Sequence, residues 1–159
     1  MKELGGVPFP SVAFMKQLSA HGFLSMQVTL SGETTLGVKS APLGAARFGG
    51  KVTNVWLTVG ASGKDDTNGL HISGEVYING TSCLSTQPAI SHVSGEASQQ
   101  KTTKVTGDTG VTQAVMDTDN NEFTSGDIFT YDLDVARTAS PTTEISNVIL
   151  VVDIEPIKG

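Results

Sequence analysis

The stretch Ile128-Phe129-Thr130-Tyr131-Asp132-Leu133-Asp134-Val135-Ala136-Arg137 decides the fold. Successive side chains on a strand point to opposite faces. Phe129, Tyr131, Leu133 and Val135 therefore share one side, and Thr130, Asp132, Asp134 and Ala136 share the other. One apolar face and one wet face is the pattern of an antiparallel strand with one side on a core. Residues 70–79 repeat it, with Leu70, Ile72, Gly74, Val76 and Ile78 against His71, Ser73, Glu75 and Tyr77. The following Asn79-Gly80 suits a type I′ turn, which needs positive φ at both central residues. Tyr77-Ile78 and Thr81-Ser82 should then pair as a hairpin.

Working outward, residues 51–60 form another strand, with Val55, Leu57 and Val59 on one face and Val52, Asn54, Trp56 and Thr58 on the other. Residues 23–30 and 34–39 are expected as two strands around a turn at Ser31-Gly32-Glu33, and residues 41–50, holding Pro42 and several glycines, as a loop. Residues 87–110 are long and polar, a length that in a compact domain carries function or hides short elements, here a strand at 89–93. Residues 111–117 read as one strand, followed by a turn at Thr118-Asp119-Asn120-Asn121 and another at Ser125-Gly126-Asp127. After a corner at Ser140-Pro141-Thr142, residues 145–155 make the last strand. Val148-Ile149-Leu150-Val151-Val152 is apolar on both faces, so this strand should lie centrally, covered by sheet, arm or partner.

Composition agrees. Gly, Thr and Ser make up about a third of the 159 residues, charged residues are 16% and aromatics 6%. That is too apolar for a disordered chain and too poor in helix formers for a bundle. About eight strands with turns every 8–12 residues or so give an antiparallel β-sandwich, jelly roll or another Greek key, over residues 23–159. Residues 1–22 differ. Gly5-Gly6-Val7-Pro8-Phe9-Pro10 breaks regular structure, and Ser11 is placed to cap a short helix over 12–20 with Val12, Met15, Leu18 and, at its margin, Phe14 on its apolar side. This segment is an N-terminal arm that needs a surface, on its own domain or on a neighbour.

The net charge of −6 divides unevenly, +3 over residues 1–60 and −9 over the rest. An acidic body argues against nucleic-acid binding, which needs clustered Lys and Arg. No apolar run is long enough for a membrane helix, and the first residues lack the apolar core of a secretory signal. The single Cys83 forms no internal disulfide.

Catalytic patterns are weak throughout. None of His21, His71 and His92 lies within five residues of Cys83, and no Gly-x-Ser-x-Gly elbow occurs. Asp117-Thr118-Asp119-Asn120-Asn121 begins like a calcium loop, but Glu122 and Ile128 stand where glycine and the closing acid belong, so an Asx-rich turn is the better reading. Asp108-Thr109-Gly110, the triplet of aspartic proteases, and the nearby Lys101 and Lys104 fit a surface loop better than a protease or a phosphate cradle. Asn79-Gly80-Thr81 matches a glycosylation sequon, but the turn already explains it. Trp56 on a strand reads as core or interface rather than a sugar platform. The chain is expected to be no enzyme and to hold no metal and no cofactor.

Several phrases together carry a likeness: Trp56-Leu57-Thr58 with Gly63-Lys64-Asp65-Asp66, Val76-Tyr77-Ile78-Asn79-Gly80-Thr81-Ser82, Ser94-Gly95-Glu96-Ala97-Ser98 through Thr106-Gly107-Asp108, Gly126-Asp127-Ile128-Phe129-Thr130-Tyr131-Asp132-Leu133 and Ser140-Pro141-Thr142-Thr143-Glu144. Over residues 50–156 the chain resembles small structural proteins of tailed bacteriophages, in particular jelly-roll decoration, or cement, proteins of the capsid exterior. The resemblance implies a virion protein made in the host cytoplasm, self-associating as a homotrimer and bridging major capsid protein subunits. Its contacts would come from the arm (Phe9, Phe14, Met15, Lys16) and the long loop (Gln99, Lys101, Lys104). The alternative is a tail-fibre or receptor-binding module that recognises host glycans, for which Trp56, Tyr77 and Tyr131 are the aromatic candidates.

Overall fold

The computed structural model describes residues 24–35, 37–66, 69–137 and 141–157. Among them are thirteen strand segments: β1 Leu24–Thr34, β2 Gly37–Ala45, β3 Gly50–Ala61, β4 His71–Ile78, β5 Thr81–Ser82, β6 Leu84–Thr86, β7 Ala89–Ser91, β8 Lys101–Thr102, β9 Val111–Thr112, β10 Val115–Met116, β11 Glu122–Phe123, β12 Ile128–Ala136 and β13 Ile145–Pro156. They form an antiparallel β-sandwich. One sheet runs β1-β13-β3-β11, with β8 also on β3; the other runs β2-β12-β4-β7-β9, with β5 also on β4; β6 and β10 make a small separate ladder. The long strands β1 to β4 alternate between the two sheets, as do β12 and β13, which gives the sandwich its jelly-roll-like character.

Alternation in the sequence sets what is buried. Ile72, Val76 and Ile78 of β4 meet Phe129, Tyr131, Leu133 and Val135 of β12 on one inner face, and Val55, Leu57, Val59, Val148, Leu150 and Val152 supply the other. Gly74 interrupts the β4 pattern because the sheets approach closely there. A Cβ on it would lie 3.1 Å from Leu150 Cδ1 and 3.4 Å from Leu57 Cδ2. The hairpin forms as expected: Tyr77 pairs with Ser82 and Ile78 with Thr81, while Asn79 (φ 50°) and Gly80 (φ 83°) take the left-handed conformations of the turn.

Four expectations need correction. No hairpin turn forms at Ser31-Gly32-Glu33. β1 continues through these residues with a register shift between Leu30 and Glu33, because Gly32 (φ 81°) bulges and donates its N–H to Asn147 Oδ1 at 3.0 Å. The chain then passes to the other sheet as β2. That strand runs through the supposed loop to Ala45; Pro42 is tolerated because β2 is an edge strand, next to a register shift near Gly44. Val52 lies in the core rather than beside Trp56, since a shift opposite Asp153 and Ile154 loops out Thr53 and reverses the parity of the strand. Finally, residues 111–117 split into β9 and β10, which join different ladders.

The last strand is central, as its sequence demands. β13 lies between β1 and β3, with Val148, Leu150 and Val152 wholly buried on the inner side. On the outer side Val151 pairs across the ladder with Trp56, and Ile149 with Thr58. The arm at residues 1–22 and its short helix lie outside the described residues.

Candidate interaction surfaces

The middle of the long polar segment is fixed to β3 and to Ser62 just beyond it, on the side of β3 away from β13. β8 pairs Lys101 with Val59 and Thr102 with Thr58. Thr103 N donates to Leu57 O at 2.8 Å, and Leu57 N donates to Thr103 Oγ1 at 2.9 Å. Upstream, Ser62 N donates to Gln99 O (2.8 Å), Gln99 N to Ser62 Oγ (3.2 Å) and Gly63 N to Ser98 Oγ (3.1 Å). The centre of this arrangement is Lys101, whose side chain has 0% exposure. Its Nζ donates to Glu96 Oε2 at 2.7 Å and to Thr109 O at 2.6 Å. The hydroxyl of Thr109 donates to the other Glu96 oxygen. An ammonium so deep is tolerable only with such partners.

A second tie closes the start of the loop. His92 Nε2 lies 2.9 Å from Asp66 Oδ1, which also accepts the Gly95 N–H at 2.9 Å. The Gly95 amide first, and His92 second, hold the Asp66 carboxyl below its ordinary range. Gly110 (φ 70°) fits tightly against Ser91, whose N–H it accepts at 2.7 Å; a Cβ there would collide with Ser91 O.

Of the three loop residues expected to face a partner, Gln99 and Lys104 are at the surface. Lys101 points inward and holds the loop. Nothing in its sequence neighbourhood beyond the acid five residues earlier signals that burial. Lys104 Nζ stands 4.3 Å from the centre of the Trp56 ring, so one face of that ring is covered by a cation. Lys104 also favours ionisation of Asp153, opposing the burial that raises this carboxyl above its usual range. Phe9, Phe14, Met15 and Lys16 lie outside the described residues.

The outer face of the other sheet is acidic and tied down. Asp132 accepts from Ser40 Oγ (2.5 Å) and Tyr77 OH (3.0 Å). Opposite it in register, buried Glu75 accepts from Ser82 Oγ (2.7 Å), Gln87 Nε2 (2.8 Å) and Val76 N (3.0 Å). Desolvation, then Asp132, pushes the Tyr77 phenol up to about 12. Ser40, Pro42, Tyr77, Thr130 and Asp132 line a shallow groove here. Tyr131, the third aromatic candidate, is buried. These carboxylates accept hydrogen bonds that fix strands to one another.

One end of the sandwich holds an aromatic cluster, with Arg47, Glu122 and Asp127 beside it. The start of β1, the ends of β2 and β13, and the starts of β3 and β12 meet there. Phe48 and Phe123 lie 6.2 Å apart and Phe123 and Phe129 5.0 Å, the latter edge to face. Above them a cleft of about 400 Å³ opens between β1 and β2, lined by Leu24, Met26, Leu43, Phe48, Phe123 and Phe129 among others. Leu24, Ile128 and Ile157 are exposed around this end.

Elsewhere, Cys83 is a free, buried thiol that burial, then Glu75, pushes up to about 12. Asp117 makes the Asx turn read from the sequence, accepting from Asp119 N and Asn120 Nδ2. Among the described residues no three His, Cys, Asp or Glu side chains converge as metal ligands. No protein-family model matches the chain, and no curated protein matches it in sequence.

Proposed function

We propose that this chain is a structural protein of a tailed-bacteriophage virion, acting as a capsid decoration protein. In this reading copies associate, as a homotrimer, on the outer capsid surface and bridge neighbouring major capsid protein subunits. The work is adhesion: a protein that binds the assembled shell better than loosened subunits stabilises the shell by that difference.

The observation that carries the reading is the fixed polar ledge built on buried Lys101. Residues 98–104 are bonded to β3 and to residues 62–63, so Gln99 and Lys104 are held in place before any partner arrives. A ledge ordered in advance loses little conformational freedom on docking, which suits repeated adhesion to a lattice. Of the four arm residues expected as further contacts, Phe9, Phe14 and Lys16 are proposed to face the partner, and Met15 to turn toward the chain's own sandwich. The second reading, a glycan-recognising tail module, draws on the Ser40–Tyr77–Asp132 groove, where hydroxyls and a carboxylate flank an aromatic ring.

Quantitative gel analysis of purified particles tests the proposal. A copy number in the hundreds, with heat resistance of the shell lost when the protein is stripped and regained on its return, is the expected result. A copy number of a few or some tens would transfer the protein to the tail, and its absence from particles would overturn both readings.

A further inference from the structure

We propose that the apolar cleft between β1 and β2 is the seat of the chain's own N-terminal segment, with Val12, Met15 and Leu18 entering it. This does not depend on the virion reading, since it concerns a contact within one chain.

Three observations converge. First, the cleft is half open and holds aromatic side chains: Phe48, Phe123 and Phe129 line it with Met26 of β1 and Leu43 of β2, while Ser25 and Arg47 supply its polar lining. Its volume, about 400 Å³, is in the range of pockets that hold a bound group, roughly 300–1,000 Å³. Open apolar surface of this kind is costly to leave to water, at roughly 25 cal/mol per Å². Second, Leu24, where the described residues begin, is itself a wall of the cleft, so the sequence before it is tethered at this opening. Five residues separate Leu18 from Leu24, a reach of at most about 20 Å, and His21-Gly22 within them allows the chain to turn back. Third, the chemistry matches. Val12, Met15 and Leu18 recur at a spacing of three, one side of a helical turn, and Met adapts to irregular apolar gaps. Lys16 and Gln17 then remain on the wet side.

Proximity decides between this occupant and a second copy. A segment tethered by so short a linker is present at its own cleft at an effective concentration in the millimolar range. The same segment from another molecule competes only at the free protein concentration. With Met15 turned inward, Phe9 and Lys16 stay available for other contacts.

The test is a cysteine pair in the full chain. Met15→Cys and Arg47→Cys are introduced together with Cys83→Ala, Arg47 lying on the rim of the cleft. Mild oxidation should give a disulfide within one chain, at a rate unchanged over a roughly hundredfold dilution, as a tethered reaction requires. Disulfides only between chains would assign the cleft to a second copy and overturn the proposal, as would no cross-link at all. Hydrogen exchange on the unsubstituted chain gives a reading that needs no mutant core. Amides of Met26 and Phe48 should exchange at least tenfold faster when residues 1–19 are removed, and unchanged exchange would overturn the proposal equally.

Discussion

Removing Glu96 should destabilise the protein more than removing Lys101, although the two form one ion pair. The Lys101 side chain is wholly buried, whereas Glu96 keeps 22% of its side chain exposed. Glu96→Ala strands an ammonium in the interior with a single neutral acceptor, Thr109 O. Breaking a buried pair in this direction costs about 3–5 kcal/mol. Lys101→Met preserves most of the volume and leaves the carboxylate on the side that reaches water, still accepting from Thr109 Oγ. Its cost is nearer 1–3 kcal/mol, that of an unsatisfied partner. In the double variant no charge is stranded, so Glu96→Ala should cost little once Lys101 is Met, and the cycle should show strong coupling. Urea unfolding measures all four proteins. With a slope of about 2 kcal/mol/M, Glu96→Ala should lower the midpoint by roughly 2 M and Lys101→Met by about 1 M. Equal shifts, or a larger one for Lys101→Met, would refute the claim that stranding the buried Lys101 ammonium is the costlier way to break this pair.

Other consequences are simpler to measure. Gly80→Ala places a Cβ at φ 83° and should cost about 1 kcal/mol or more, read as a lower thermal midpoint with the fold unchanged. Cys83 should resist alkylation at neutral pH in the native protein and react at the rate of unfolding, because its thiol is both buried and pushed up to about 12. Asp127 is held below its ordinary range by the Thr124 amide first and Asn79 second. Its folded value being depressed, its contribution is complete above the unfolded value near ~3.9 and disappears as pH falls through the folded one; Asp127→Asn should flatten that part of the urea-midpoint profile between about pH 5 and 2. Lys104→Ala should shift the emission of Trp56, the single tryptophan, with a loss of about 0.5–1 kcal/mol.

The sandwich is legible in the sequence wherever a strand has one wet face. β12 and β4 announce themselves through Phe129-x-Tyr131-x-Leu133 and Ile72-x-x-x-Val76, because burial on a pleated surface imposes a period of two. The type I′ turn is legible for a different reason, since Asn79-Gly80 is chosen by backbone sterics alone. What escapes is every place where the period slips. Thr53 and Gly32 are extra residues in their ladders, and a bulge leaves no mark on local propensity while reversing which side chains face inward. Pro42 and its glycine neighbours read as loop because edge strands tolerate what central strands forbid, and edge position is a property of topology. The role of Lys101 is hidden likewise: its partners Glu96 and Thr109 come near only after the loop has folded against β3.

The strand that lies between β1 and β3 in the first sheet is made after every other strand among the described residues. At about 5–20 residues per second, β13 leaves the ribosome roughly 5–20 s after β3. During that interval the sides of β1 and β3 that β13 will occupy are unpaired, and β3 has only the short segments β8 and β11 as neighbours in its own sheet. Such non-local pairing is slow to form. The nascent chain therefore exposes part of this sheet until β13 arrives, and factors that shield unpaired strands would govern how much of it reaches the native state.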